Sequence, residues 1–433
     1  MGTLLLEITR GLFGITVLIG FCWLLSEKRK AVDWRLVITG VVMQFILAAL
    51  ILKVPFVSSA IGLVSKFFVK VLAFSHDGAQ FVFGPNLVDN SFGAVIAFQV
   101  LPSIIFFSAL SAMLYHIGLL QIIVYGIAWI MKRTMRLSGA ESLASAANIF
   151  VGQTEAPLIV RPYISGMTRS EIMCLMTGGM ATIAGGVLVA YIAMLGGDSI
   201  EQREIFGKHL LTASLLSAPA AVLIAKILIP QTEAARDEMR INKETISTNI
   251  FEAATEGTTQ GLKLAFNVGA VLLVFTALIS MGNYVTEEWI GEWFGLNAWV
   301  TDLTAGEFKG FTLQFVFAML FAPVAWLIGI DNQNLLLVGQ LLGEKTVLNE
   351  FIAYASLGEM IQTKEITNAN SIVIVTYALC GFANFASMGI QIGGIGTIAP
   401  DQRPTLAKLA LRSLIGGTVA CLMTGAIAGI FLV

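Results

Sequence analysis

The sequence predicts an all-α integral membrane protein with about eight transmembrane helices, plus two re-entrant hairpins in an inverted repeat and flanking interfacial helices. Three observations carry this. Of 433 residues, 56% are hydrophobic and only 12% are charged, where soluble domains average about 25% charged residues. A water-soluble fold of this size still exposes half or more apolar area, and so cannot hide this much. The apolar residues also fall into runs long enough to cross a bilayer. Finally, two apolar segments, one in each half, are interrupted by polar clusters.

In chain order, full-length apolar stretches lie near 8–25, 35–53, 94–119, 172–196, 208–229, 260–282, 368–396 and 409–432. The N-terminus is read as leading into a membrane helix and not as a cleaved leader, because its apolar run carries Glu7 and Arg10 and no small-residue cleavage site follows. Phe56 to Phe74, broken by Lys66 and Lys70, reads as an amphipathic interfacial helix. Ile122 to Leu137, which ends in Lys132, Arg133 and Arg136, reads the same way. Segments of about 140–171 and 312–351 are apolar but interrupted, and read as hairpins that enter the membrane and return. The polar stretch 231–256 separates the halves.

Basic residues support one orientation. Lys28, Arg29, Lys30 and Arg35, then Lys132, Arg133 and Arg136, then Arg161 and Arg169, Arg236, Arg240 and Lys243, and Arg403, Lys408 and Arg412 fall on one side if both termini are external. The opposite loops hold Glu287, Glu288, Glu292 and Asp302.

Residues 140–229 and 312–432 both read hairpin, broken helix, helix. The first break is Ala181-Thr182-Ile183-Ala184-Gly185-Gly186, and the second runs from Gly381 to Ser387. An odd number of spans between the repeats inverts one against the other. Inverted repeats with interrupted helices mark secondary transporters, whose ligand lies where the repeats meet. Irregular backbone at membrane depth survives only where it lines a cavity. The expected organisation is therefore scaffold at 1–139, a first transport repeat at 140–230, linker and scaffold at 231–311, and a second transport repeat at 312–433.

Several residues in these segments carry chemistry. Glu155 sits in an apolar hairpin beside Gln153 and Thr154, and an ionisable side chain at that depth is a functional candidate. With Thr154 and Pro157 it also resembles a helix start, and the two roles can coexist. Glu350 follows Asn349 in an apolar run and is a second functional candidate; if Glu344 and Lys345 pair locally, the alternative is an unpaired glutamate near a surface. Asn384 and Ser387 are spaced to share a helix face, as are Phe382 and Phe385. Polar residues so placed can simply join helices, but Gly381 and Gly389, Gly393, Gly394 and Gly396 argue for an unwound segment. Asn148 and Thr182 are neutral oxygen carriers suited to a hard monovalent cation, or equally to ordinary helix–helix hydrogen bonds.

Other chemistries find little support. Cys22, Cys174, Cys380 and Cys421 are scattered in apolar runs without metal-ligand spacing. Gly394-Ile395-Gly396-Thr397-Ile398-Ala399 matches a dinucleotide fingerprint but follows a membrane segment instead of a strand. No Walker A sequence occurs, and no selectivity sequence or nucleophile–base pair marks a channel or an enzyme. Net charge is −2, which gives no pull toward nucleic acid.

Three stretches together resemble the concentrative nucleoside transporters of the bacterial, sodium-coupled type. They are Gly152-Gln153-Thr154-Glu155-Ala156-Pro157-Leu158, Asn349-Glu350-Phe351, and Tyr377 to Ser387 with Gly393-Gly394-Ile395-Gly396 after it. The similarity covers nearly the whole chain. It implies a homotrimer in the cytoplasmic membrane that imports nucleosides such as uridine, cytidine and adenosine with Na+ as coupling ion. It implies that Gln153, Thr154 and Glu155 read the nucleobase, with Val187 beside it. Glu350, Asn384 and Ser387 would hold the ribose, with Phe382 nearby. Asn148, Thr182 and the carbonyls of Val151 and Ile183 would bind sodium; Thr182 departs from the expected serine but keeps the hydroxyl. The chemistry agrees, since a carboxylate accepting two sugar hydroxyls makes charge-assisted bonds and aromatic rings bury base faces. Proton coupling is the alternative, and a transporter of another polar metabolite is the more distant rival.

Overall fold

The computed structural model describes residues 2–88, 96–235 and 247–432, all helix and connecting turns with no strand among them. The N-terminal third comprises α1 (Gly2–Leu24), α2 (Trp34–Lys53), α3 (Pro55–Phe83), the short α4 (Pro85–Val88) and α5 (Ile96–Gln99), α6 (Leu101–His116) and α7 (Leu119–Met135). The first repeat follows with α8 (Gly139–Ala147), α9 (Ala156–Ile159), α10 (Arg161–Ile164), α11 (Arg169–Ala181), α12 (Gly185–Gly196) and α13 (Ile200–Leu228). Next come α14 (Ile250–Asn283), a π-helical stretch Tyr284–Gly291, and α15 (Leu296–Leu303). After α16 (Leu313–Leu327), the second repeat is α17 (Leu335–Val347), α18 (Glu350–Gln362), α19 (Ala369–Leu379), α20 (Phe385–Ile398) and α21 (Arg403–Leu432).

Each expected span is found as a helix, although the expected start at 94 and the basic residues Arg236, Arg240 and Lys243 lie outside the described residues. The chain is a multi-pass membrane protein. Among the described helices, seven are long and apolar enough to cross a bilayer, and shorter apolar helices lie at Ile8–Leu24, Leu313–Leu327, Ala369–Leu379 and Phe385–Ile398. One of the seven is α3, which continues nine residues beyond the expected interfacial segment. Lys66 does not interrupt it but reaches Glu204 on α13 at 3.8 Å.

The two repeats match element by element. Each pairs a hairpin with a helix broken into halves of 13 and 12 residues in one case and 11 and 14 in the other. Each ends in a long helix of 29 or 30 residues. The second hairpin is displaced from its expected bounds. It is formed by α17 and α18, which turn at Leu348–Asn349, whereas α16 is a separate helix preceding it. The connection is Ile328–Asn334: Gly329 in the left-handed region (φ 101°) turns the chain, and Asp331 caps a 3-10 turn, Asn332–Asn334, so the polar run 331–334 marked the division that the apolar reading passed over.

Local chemistry sets the boundaries. Ser138 with Glu141 and Thr168 with Glu171 form capping boxes that start α8 and α11. Asn349, Asn368 and Asn384 cap α18, α19 and α20 through side-chain oxygens. The broken helix α11–α12 is buried along its whole apolar span, while α14 keeps most of its surface exposed. α14 approaches α6 closely through Gly257 and Gly261, where an added Cβ would lie 2.7 Å and 2.8 Å from backbone atoms of Ala109 and Ile105. Such small-xxx-small spacing lets helices pack in lipid, where no hydrophobic force joins them.

Candidate functional site

The tip of the first hairpin is the irregular stretch 148–155, between α8 and α9. It faces both helix breaks. Gly185 N–H donates to Phe150 O at 3.1 Å, and Phe382 N–H donates to Thr182 O at 3.3 Å, which ties one break to the other. Unwound backbone is thus satisfied inside the protein, as it must be at membrane depth.

Four of the expected residues form one hydrogen-bonded chain across this seam. Gln153 Nε2 donates to Ser387 Oγ at 3.1 Å. Ser387 N–H donates to Asn384 Oδ1 at 2.8 Å. Asn384 Nδ2 donates to Glu350 Oε2 at 2.7 Å. All four side chains are buried. Asn384 and Ser387 meet because Asn384 caps α20 and Ser387 sits in its first turn, so the helix-face reading of the pair is corrected. The same holds for Phe382 and Phe385: Phe382 lies in the break, half-buried, while Phe385 is exposed at the start of α20.

Glu350 opens α18, where an anion is favoured by the free N–H groups of the first turn. Its other oxygen, Oε1, accepts from Tyr191 OH at 3.0 Å. Tyr191 stacks on Tyr354 at 4.3 Å between ring centroids and meets Phe351 edge-on at 4.9 Å. Val187 is buried one helical turn before Tyr191. Glu155 stays within the tip, at the N-cap position of α9, and its Oε2 accepts from Gly152 N–H at 2.8 Å. Thr154 faces α20, where a Cβ on Gly394 would lie 3.7 Å from its Cγ2. The Gly394–Ala399 fingerprint lies in α20 and its end, with no strand before it.

The expected cation residues also converge. Asn148 is buried against Gly178, and neither oxygen nor nitrogen of its amide has a protein partner. Thr182 Oγ1 donates to Gly178 O at 2.8 Å, so Asn148 and Thr182 share one neighbour. Val151 and Ile183 are buried in adjoining stretches, as shown by a Cβ on Gly152 falling 3.1 Å from Ala184 Cβ. An orphaned buried amide costs about 1–3 kcal/mol. A small monovalent cation fits that amide oxygen, a hydroxyl oxygen and nearby carbonyls, because all are hard neutral donors.

Sequence reasoning missed three residues. Tyr191 lies four positions after Val187 and Gln391 four after Ser387, so both share a helix face with an expected residue. Gln391 donates to Gln153 Oε1 at 3.0 Å. Lys345 was read as a local partner of Glu344. Instead it is fully buried and donates to Ala378 O at 2.7 Å, at the carbonyl end of α19, while Glu344 accepts from Gln340 at 2.7 Å. A cation is favoured at a helix C-terminus, and the long side chain reaches it from α17.

A second polar cluster lies at the foot of the first hairpin. Lys226 pairs with Glu141, and its Nζ donates to Ser170 Oγ and Gln231 Oε1, both at 3.0 Å. Ser138 Oγ donates to Glu171 Oε1 at 2.6 Å. Glu141, Glu171 and Lys226 are all buried.

A helical membrane protein whose two repeats place hairpin tips and helix breaks around one buried polar chain has the architecture of a secondary transporter. Family models make the assignment specific. The C-terminal model for Na+ dependent nucleoside transporters matches residues 209–429, its N-terminal model matches 13–86, and a nucleoside recognition model matches 97–198. The chain belongs to the concentrative, Na+-dependent nucleoside transporter family.

Relatives extend the match over the whole chain. An uncharacterized transporter of Haemophilus influenzae is 40% identical over 433 residues, covering 99% of this chain and 98% of its own. Sodium/nucleoside cotransporter 1 of Rattus norvegicus is 35% identical over 435 residues, covering 97% of this chain and 63% of its own. The mammalian relatives are therefore much longer proteins. CNTnw in an inward-facing substrate-bound state superposes with a TM-score of 0.87 at 37% identity over 98% of both chains. A CNTnw variant in an outward-facing state gives 0.89 at 36% identity over 99% of both.

Proposed function

We propose that this protein is a sodium-driven symporter that imports nucleosides such as uridine, cytidine and adenosine across the cytoplasmic membrane by alternating access. The observation that carries the reading is the buried Glu350 carboxylate, with one oxygen held by Tyr191 and the other by Asn384, at the seam of the repeats. A carboxylate has about four acceptor sites. Two remain for the vicinal hydroxyls of a ribose.

In this reading Glu350, Asn384 and Ser387 hold the sugar with Phe382 against it. Gln153, Thr154, Glu155 and Val187 line the base. Na+ sits between Asn148, Thr182 and the carbonyls of Val151 and Ile183. Because those donors adjoin the hairpin tip, the ion and the nucleoside strengthen each other's binding. The segments 1–139 and 231–311 form the scaffold of a homotrimer, and 140–230 and 312–433 the moving repeats. The basic residues support external termini.

Proton coupling is a second reading, motivated by Glu155 and Glu350 at the same site. Uptake of uridine and adenosine into reconstituted vesicles, with a sodium gradient or a pH gradient alone, separates the two. Uptake that requires sodium at fixed pH is expected. Equal nucleoside affinity in sodium and choline, with uptake driven by pH alone, would transfer the coupling to the carboxylates.

A further inference from the structure

We propose that Gln391 sets which edge of a nucleobase is accepted, by locking the orientation of the Gln153 side-chain amide. The proposal rests on the reading of Gln153 as a base-contacting residue. It assigns Gln391 a positioning role.

An amide group is ambiguous. Its oxygen only accepts and its nitrogen only donates, and a half-turn exchanges them at little steric cost. A glutamine that must discriminate bases therefore needs a partner that cannot adapt. Gln391 supplies one, because its own orientation is dictated by backbone. Its Nε2 lies 3.0 Å from Met176 O, a main-chain carbonyl that can only accept. The group facing Met176 is thus the NH2. That nitrogen carries a second hydrogen, and the atom it meets is Gln153 Oε1, also at 3.0 Å. Gln153 must then turn its own NH2 the other way, where it donates to Ser387 Oγ at 3.1 Å. A fixed carbonyl of α11 polarises two amides in series and delivers a donor to the seam.

The surroundings fit this relay. Gln391 is 1% exposed, so water cannot substitute for either partner. Gly179 on α11 makes room: a Cβ there would fall 2.7 Å from Gln391 Nε2 and 2.9 Å from Gln153 Cβ. Met176, Gln153 and Gln391 come from α11, the first hairpin tip and α20, so the orientation is defined only when the two repeats are docked. The relay reaches no member of the sugar side except through the Ser387 hydroxyl, which can rotate to serve either neighbour.

The test is competition binding to purified protein in sodium. The competitors are uridine, cytidine, adenosine and inosine, with 2′-deoxyuridine and 3′-deoxyuridine as sugar probes. Gln391→Met keeps the volume and removes the relay. It is expected to compress the spread among the four bases by about three- to tenfold, the worth of one hydrogen bond, while the penalties for the two missing hydroxyls stay unchanged. In a Gln153→Ala background the same substitution is expected to have no effect on base choice. Gln391→Asn, which withdraws the amide by one methylene, serves the same comparison if the Met variant does not fold. A uniform loss for every ligand would make Gln391 a packing residue and overturn the proposal, as would an undiminished effect in the Gln153→Ala background. If Gln153→Ala alone left base choice intact, base reading by Gln153 would fall and this inference with it. Base choice altered by Gln153→Ala but not by Gln391→Met would overturn the relay alone.

Discussion

Asn384 and Glu350 are joined across 2.7 Å, and Asn384 performs two tasks with one amide: its nitrogen donates to the carboxylate while its oxygen caps α20 through Ser387 N–H. The helix start and the Glu350 carboxylate therefore share a single rigid pivot. Because both donors to Glu350 are fixed, the chemistry of its oxygens can be tested with substitutions that preserve shape.

Glu350→Gln replaces one accepting oxygen with a donor that must confront Tyr191 OH or Asn384 Nδ2. Truncating one partner of a buried, hydrogen-bonded charged group costs about 2–5 kcal/mol. Nucleoside transport is expected to be nearly abolished in a protein that still purifies folded. Uptake equal to wild type would remove Glu350 from the sugar site. Deleting ribose hydroxyls from the ligand should also weaken binding to the wild type far more than to this variant.

Tyr191→Phe keeps the stack on Tyr354 but deletes the hydroxyl that donates 3.0 Å to Glu350. Hydrogen bonds to charged groups contribute about 1.5–3 kcal/mol. Because the bond exists without ligand, the melting temperature should fall measurably, and uridine affinity should fall as well, by about tenfold, as Glu350 Oε1 loses its fixed orientation. Isothermal titration beside a melting curve checks both halves.

Gly178→Ala places a methyl 2.8 Å from the Asn148 amide nitrogen. Overpacking of this kind costs about 1–3 kcal/mol, and here it is directed at Asn148, a proposed ion donor. The sodium concentration for half-maximal nucleoside binding should rise by about fivefold or more, and the order of preference among nucleosides should hold. A sodium dependence identical to wild type would place the ion elsewhere.

Lys226→Met leaves Glu141 buried without its cation. Breaking a buried pair from one side costs about 3–5 kcal/mol, so a large fall in melting temperature is expected. Pairing it with Glu141→Gln should recover part of that loss. A double variant no more stable than the single one would show that the cluster does not act as an ion pair.

Much of this was readable because membrane solvent simplifies the code. Long apolar runs became helices, and glutamates in such runs, Glu155 and Glu350, proved to sit at hairpin tips. The breaks at 182–184 and 380–384 were signalled by Thr182, Gly381 and small neighbours, whereas Gly389, Gly393, Gly394 and Gly396, read as part of an unwound segment, lie within the helix α20. What stayed hidden depended on tertiary partners. Lys345 looked like half of a local ion pair, yet its partner is a carbonyl 33 residues away at the end of another helix. Asn384 and Ser387 were correctly joined, but through a cap and not a helix face. The start of the second hairpin was missed because α16 and α17 are both apolar and the only mark between them is the short polar turn 331–334 after Gly329.

The bonds that make the seam link residues 234, 238 and 159 positions apart. A chain made from its N-terminus has the first hairpin tip in place long before α20 exists to receive it. Until then Gln153 lacks the partners that orient it, and loop-closure entropy opposes their arrival. Biogenesis of the binding site therefore waits for the last helices. A product truncated before residue 384 would hold an inserted first half with nothing opposite its tip, which makes the late-arriving C-terminal helices the checkpoint between insertion and competence.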